Sequence, residues 1–327
     1  MDKDSHRKKL IISAVVFLVL FIPTIVAGVY YYGITNNVMT SAVITRRQTV
    51  ASLSAAAVKL KLDHLVKITQ EFAADESVKS FMASGQWKAA IDRAESLSNE
   101  VSFYDPYIDR VLLIDKKGMV RSAVPELYGG LGEEDVSISE WRSSLLSGGE
   151  EFHVSNVYKR RSDPRISIAE VLAPITQNNS VIGVVSLQIP VNNFSDFGKD
   201  VDIGSNGYAY FVDRLGQIIS HPKFSSDGPI INYSNAPSVN SLLTGGAGVS
   251  TAFNPIERQY KLSAYEFVPV YGWGVISTEP VSDAFESRDG ILINIVYLVA
   301  IISVIEMLAA FSIFIIQGSS WKLNSKI

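Results

Sequence analysis

Few side chains in this 327-residue chain could do chemistry, and their spacing narrows what that chemistry is. There are four histidines, His6, His64, His153 and His221, and no cysteine. The histidines are spread too widely to spell out a metal cluster, and thiolate ligands and cysteine nucleophiles are excluded. There is no His-Glu-x-x-His, no Gly-x-Ser-x-Gly and no phosphate-binding loop. The chain therefore reads as a non-enzyme, with no catalytic residue, no metal and no cofactor expected. In mid-chain Trp141 stands beside Arg142, and Tyr158 two residues before Arg160 and Arg161. A guanidinium is a planar fork that matches a carboxylate through two parallel hydrogen bonds. A Trp-bearing helix beside a Tyr-bearing strand favours a pocket over a flat face. Arginines so placed either meet an anion or, on the competing reading, are solvated loop charges.

The elements that would hold such a pocket appear twice. Ile114-Asp115-Lys116-Lys117-Gly118-Met119-Val120-Arg121-Ser122 is echoed by Val212-Asp213-Arg214-Leu215-Gly216-Gln217-Ile218-Ile219-Ser220. Each copy reads as strand, tight Asp-x-x-Gly turn and strand, with Gly118 and Gly216 at positive φ, which only glycine adopts cheaply. Glu170 to Ile175 with Gly183 to Ser186 is answered by Glu266 to Val270 with Gly274 to Ser277. The first module is expected to hold strands at 110–115, 119–123, 152–159, 165–174 and 181–189, with a helix at 136–146 between the second and third. The second is expected to hold strands at 208–213, 217–220, 248–253, 258–269 and 274–278, with a short helix at 238–243. Strands paired antiparallel with helices on one side make an α+β unit.

Two apolar runs bracket these modules. Leu10 to about Tyr30 carries no charge and exceeds the apolar core of a cleaved leader. Arg7, Lys8 and Lys9 precede it, which places the N-terminus in the cytoplasm. The second run spans about Ile291 to Ile316, followed by Trp321, Lys322 and Lys326 on the same side. Glu306 interrupts it. A carboxylate in hydrocarbon costs several kcal/mol unless paired or protonated, so Glu306 is either a helix-packing or signalling contact or a tolerated protonated residue. The net charge of −4 argues against a nucleic-acid partner. Asn36 to Ala74 holds neither Pro nor Gly and reads as an amphipathic helix of roughly 55–60 Å. Its expected packing stripe is Val50, Leu53, Ala57, Leu60, His64, Leu65, Ile68 and Phe72. Helices are also expected near 77–83 and 86–102.

Gly207-Tyr208-Ala209-Tyr210-Phe211-Val212-Asp213, continuing to Gly216 and His221-Pro222, resembles the membrane-proximal signature of the double Cache family of tandem PAS-like sensors. The resemblance covers about Asn36 to Phe285. It implies an α+β fold, a long N-terminal helix carrying two tandem PAS-like antiparallel-sheet modules, flanked by two transmembrane helices. The implied segments are a cytoplasmic N-terminus (1–9), a first span (10–31), a periplasmic sensor (32–285), a second span (290–316) and a cytoplasmic tail (317–327). Within the sensor, 36–74 is the long helix, 75–197 the membrane-distal module and 198–285 the membrane-proximal one. Small molecules usually bind the distal module in this family, and His221 is a structural residue of the motif. Amino-acid-binding members resemble one another in an Arg-x-Trp-aromatic helix, a Tyr-x-Asp strand and a late Asp. Here Ser139 stands at the Arg position, Trp141 matches, Arg142 stands at the aromatic position, Arg160 replaces the strand acid and the late position falls on Gln188. With both acids lost, an amine has no charge partner in the motif. The ligand set implied is Trp141, Arg142, Tyr158, Arg160, Ser167 and Gln188, for a small anion such as an organic acid.

The function implied is extracytoplasmic sensing and signalling across a bacterial inner membrane, as the input part of a chemoreceptor, histidine kinase or diguanylate cyclase. A homodimer through the long helix and the spans is expected. The alternative is a two-span periplasmic scaffold, which would need an exposed apolar patch in place of a pocket. No output module follows the second span, so the chain reads either as the front of a longer receptor or as a stand-alone sensor with a partner.

Overall fold

The computed structural model describes residues 2–102, 107–125, 141, 144–198, 203 and 206–324. The chain divides into two compact units, one of residues 1–45 with 282–327 and one of 46–281.

The first unit holds two helices long and apolar enough to cross a membrane. Helix α1 runs unbroken over Asp2–Ala74, with Pro23 inside it. The boundary expected between span and long helix thus falls within one element. The last helix, Glu286–Asn324, carries the second apolar run. The two meet at a small residue and a polar one. Gly28 lies against Val299, where a Cβ would collide with that side chain. One turn below, the Thr24 hydroxyl donates to Glu306 Oε1 at 2.6 Å, so the carboxylate within the second apolar run is a helix-packing contact.

The second unit is built along the remainder of α1. Buried Ala51, Ala55, Val58, Leu62, Leu65, Thr69 and Phe72 follow steps of four and three. Val50, Leu65, Ile68 and Phe72 of the expected stripe are buried, but Leu53 and Leu60 are 66% and 73% exposed and His64 is exposed as well, which corrects the rest of it. The helix carries two apolar stripes, and the fold uses the one with the smaller side chains at 51 and 55. Helices α2 (Glu76–Ala83) and α3 (Trp87–Ser102) follow, with Asp75 capping α2 through Val78 N–H at 3.0 Å.

The distal sheet comprises β1 (Arg110–Asp115), β2 (Val120–Val124), β3 (His153–Val154), β4 (Tyr158–Lys159), β5 (Ser167–Gln177) and β6 (Ser180–Pro190). Its order is β2-β1-β6-β5-β3, with β4 also on β5, all antiparallel. Side chains alternate between faces. Val111, Leu113, Val171, Ala173, Val185 and Leu187 join the core along α1. Leu112, Ile114, Leu172 and Val184 point the other way, onto Trp141 and Leu145. Of the helix expected at 136–146, Trp141 and residues 144–146 are described and helical; the rest, with Ser139 and Arg142, lies outside the described residues.

The proximal sheet comprises β7 (Tyr208–Val212), β8 (Ile218–Ser220), β9 (Gly248–Asn254), β10 (Gln259–Val268) and β11 (Trp273–Pro280), in the order β8-β7-β11-β10-β9. Helix α4 (Pro237–Leu243) covers one face; the other joins the core along α1 through Phe211, Val268, Trp273 and Val275. A single turn, α5 (Val281–Ala284), then leads to the last helix, α6 (Glu286–Asn324).

The repeated turn closes alike in both sheets. Asp115 Oδ1 accepts from Lys117 N at 2.8 Å and Met119 N at 3.0 Å, and Asp213 Oδ1 accepts from Leu215 N and Gln217 N, both at 2.9 Å. Gly118 and Gly216 take φ of +83° and +76°, as the turn requires. The second oxygen differs in use. Asp115 Oδ2 takes the Arg121 guanidinium at 2.7 Å, whereas Asp213 Oδ2 reaches the distal module and accepts from Val157 N at 2.9 Å.

Candidate functional site

The face of the distal sheet turned away from α1 carries a row of buried polar side chains where apolar ones would be expected. Across β1, β6 and β5 the residues in register are Arg110, Gln188 and Glu170, and on the next rung of that face Leu112, Ser186 and Leu172. Glu170, Ser186 and Gln188 are fully buried. Gln188 Nε2 donates to Glu170 Oε1 at 3.0 Å, and the Ser155 hydroxyl accepts from Glu170 N at 2.9 Å. Trp141 is fully buried on the same face, against Leu112, Ile114 and Leu172. Neither its Nε1–H nor the Ser186 hydroxyl finds a hydrogen-bond partner among the described residues. A buried donor left unpaired costs about 1–3 kcal/mol, so two on one face mark a surface suited to a polar guest.

The sequence-derived set divides over this geometry. Tyr158 pairs with Ile168, two residues from Glu170 and on its face. With Trp141 and Gln188 it lines the same side of the sheet. Arg160 is 3% exposed, which corrects the reading of it as a solvated loop charge. Its Nη2 donates to Asp109 Oδ2 at 2.5 Å, and its Nε is buried without an acceptor among the described residues. Ser167 takes the opposite parity. Its hydroxyl donates to the Ser226 carbonyl of the proximal module at 3.0 Å, as Lys159 Nζ does at 3.1 Å, so both serve the junction of the modules. Arg142 lies outside the described residues.

Sequence reasoning missed Glu170, Ser186 and Arg110. Glu170 had been visible only as an anchor of the repeat, matched by Glu266. The signal was its setting: a lone acid in the apolar run Ile168 to Ala173, two residues along the strand from Leu172, shares that leucine's buried face. The face that lacks a motif acid at 160 thus carries a buried carboxylate on the neighbouring strand, at Glu170.

The outer face of the proximal sheet also carries buried polar atoms, and Tyr233 Oη and His221 Nε2 find no hydrogen-bond partner among the described residues. Its counterpart position is filled by an aromatic cluster, in which His221 lies 4.5 Å from Phe224 and 5.0 Å from both Tyr208 and Tyr210, centroid to centroid. His221 Nδ1 accepts from Lys223 N at 3.1 Å. Burial, together with the charges of Lys223 and Lys261, pushes its pKa down to about 4, against the opposing pull of Glu257. This is the environment of a structural, neutral histidine. Glu257 itself is pushed up by burial but held below its ordinary value on balance by Lys223, Tyr208 and Lys261. Among the described residues no group of three or more His, Asp or Glu could hold a metal.

The family model described as the Cache domain matches residues 35–288. Solved structures share the fold at low identity. The periplasmic sensory domain of the Campylobacter jejuni chemoreceptor Tlp1 is 13% identical with a TM-score of 0.56, over 76% of this chain and 98% of that one. The ligand-binding domain of the Pseudomonas fluorescens chemoreceptor CtaA, in complex with L-isoleucine, is 12% identical with a TM-score of 0.55, over 77% and 98%. A domain of a putative sensory box/GGDEF family protein from Vibrio parahaemolyticus is 14% identical with a TM-score of 0.56, over 75% and 99%. A 109-residue stretch is 22% identical to the voltage-dependent calcium channel unc-36 of Caenorhabditis elegans, and the chain spans 8% of the length of that curated relative.

Proposed function

This chain belongs to the Cache domain family, and from that premise we propose that it is the extracytoplasmic input of a transmembrane receptor, binding a small molecule on the buried face of its distal sheet. The observation that carries the proposal is the polar row of Glu170, Gln188 and Ser186 beneath Trp141, in a position where a packing face would be apolar. In this reading the chain spans an inner membrane twice with both ends cytoplasmic, and the region between the spans is periplasmic. It pairs with a second copy through α1, because the exposed stripe of Leu53 and Leu60, seven residues apart, is the spacing of a two-helix seam. Its role in this reading is to bind and signal, supported by its likeness to the sensory and ligand-binding domains of chemoreceptors and to the extracellular domain of a putative histidine kinase.

Glu170 moves the ligand class from a simple anion toward a molecule carrying an amine, zwitterionic amino acids included. A buried carboxylate repels an anion placed beside it and favours an ammonium. The guanidinium of Arg160 is already met by Asp109. The L-isoleucine, L-leucine and L-arginine complexes of the neighbours are consistent with such a guest. An organic acid is the second reading, supported by the buried Arg160 Nε.

Thermal unfolding of the full chain with amino acids, simple amines and dicarboxylates separates these readings. A ligand at a hundred times its Kd adds about 2.7 kcal/mol, a rise in Tm on the order of 5–10 °C for a domain of this size. Amine-bearing compounds should give that rise, and Glu170→Gln should remove it. A rise with acids lacking an amine, retained in Glu170→Gln, would refute the amine and leave the sensor reading standing. No rise with any class would favour the scaffold.

A further inference from the structure

The β9–β10 turn, residues 254–258, lies at a defined end of the proximal sheet. Lys261 stands opposite Pro280, the last residue of β11, and Gln259 opposite Asn254 lies beyond it. The other end of that sheet carries the β7–β8 turn. There Asp213 accepts from Val157 N, and Arg214 donates to the Val154 carbonyl at 2.5 Å, both in the distal module. The 254–258 tip therefore points away from the distal module. The chain leaves the sheet at the same end, and Ile291, which opens the second apolar run, follows Pro280 by eleven residues. Helix α1 enters the unit there too, since Arg47 is paired with Glu279.

The tip's chemistry suits a bilayer surface. Phe253, Ile256 and Tyr260 are 45%, 36% and 64% exposed, and the rings of Phe253 and Tyr260 stack edge to face at 5.4 Å. Pro255 and Arg258 are exposed beside them. The only acid of the turn, Glu257, is folded inward, 2.7 Å from Lys223 Nζ and 3.2 Å from Lys261 Nζ, and bonded to the Tyr208 hydroxyl. What faces outward is thus two aromatics, an isoleucine, a proline and an arginine, with the negative charge withdrawn. The turn is also pre-formed, for Asn254 Oδ1 accepts from Ile256 N at 2.9 Å and Glu257 N at 3.2 Å. Three apolar side chains held rigid in water gain by leaving it, and aromatic rings with a nearby guanidinium match the headgroup layer.

We propose that this hairpin tip is a lipid-docking element, seating Phe253, Ile256 and Tyr260 in the interfacial layer of the membrane with Arg258 among its phosphates. Docking would fix the sheet from which the chain enters its second span at a set height and tilt. The proposal rests on the two-span reading above, and its test distinguishes failure of the one from failure of the other.

The chain has no cysteine, so single-site labelling is clean. A polarity-sensitive fluorophore is placed at Ile256→Cys or Tyr260→Cys in the full chain reconstituted into phosphatidylcholine–phosphatidylglycerol bilayers. Leu298→Cys in α6 serves as the membrane control. Leu215→Cys, 52% exposed in the β7–β8 turn, serves as the aqueous one. Quenchers are attached to the lipid near the headgroup or supplied as iodide in the water. The expected result is a blue-shifted emission at 256 and 260, loss of that emission with the lipid-borne quencher, and no such loss at 215. If 298 is quenched by the lipid and the tip is not, the tip proposal is overturned and the spans stand. Shielding of the tip from iodide without lipid quenching would mean a protein partner covers it, which also overturns the proposal. No lipid quenching even at 298 would overturn both.

Discussion

Removing Arg47 should damage this protein far more than removing Arg47 and Glu279 together. The pair joins α1 to the end of β11, with the side chains 3% and 5% exposed. It sits beside the small apolar cluster of Val50, Ile203 and Ala209. The Gly207 position leaves it room, since a Cβ there would press on Arg47 Nη1 and the Ile203 carbonyl. Taking one partner from a buried pair strands the other charge out of water, which costs about 3–5 kcal/mol, whereas replacing both by apolar groups of similar volume is often neutral. Arg47→Met alone should therefore lower the Tm of the full chain by on the order of 10 °C, and Glu279→Met alone by a similar amount. The double substitution should restore most of the loss. Urea unfolding of the four proteins in detergent gives the coupling energy directly. Additive losses, with the double variant as damaged as the sum of the singles, would refute the reasoning, since they would mean each group is held by something other than its partner.

Stability should fall between roughly pH 6.5 and 4, through the buried His221. Its folded pKa is about 4, below the ordinary 6.5, so the unfolded chain binds the proton more readily in that window. The stabilisation is complete above the unfolded value and lost as pH falls toward the folded one, roughly 3 kcal/mol in all. His221→Phe should flatten the pH dependence of the urea midpoint across that range, and an unchanged slope would count against it. For topology, a reporter active only in the periplasm and fused after Gly198 should be active; a stable but silent fusion would reverse the N-in assignment drawn from Arg7 to Lys9.

Most strands were legible because their alternation and turn chemistry are local, although the one expected at 152–159 is two short strands, β3 and β4. Asp-x-x-Gly fixes a hairpin by itself, since the aspartate accepts from two N–H groups and the glycine alone takes the positive φ. The stripe of α1 was legible only in part: Val50, Leu65, Ile68 and Phe72 are buried as expected, but Leu53 and Leu60 form a face as regular as Ala55, Val58 and Leu62. Only the sheets laid against the helix decide between them. The candidate site was half legible. Trp141, Tyr158 and Gln188 fall on one face, but Ser167 differs from Glu170 by an odd number of residues and so turns to the other. Glu170 was concealed because a continuous apolar strand carries no sign of which of its two buried faces receives a polar guest.

The contrast between the two turn aspartates bears on how binding at one sheet could be felt at the other. Asp115 spends its second oxygen on Arg121 within its own hairpin. Asp213 spends its second oxygen on Val157, whose neighbour Tyr158 opens β4 on the candidate face. The Asp213 side chain therefore closes the β7–β8 turn with one oxygen and holds the distal module with the other, and it is fully buried while doing both. A guest that shifts β4 must stretch that bond or carry the turn with it, and β7 is paired through Val212 and Tyr208 to Gly274 and Thr278 of β11. One residue beyond Thr278 is Glu279, the partner of Arg47. The β7–β8 hairpin thus lies between the candidate face and a buried ion pair at the chain's exit, and one of the bonds that would carry a displacement of β4 is removed by a single substitution at Asp213.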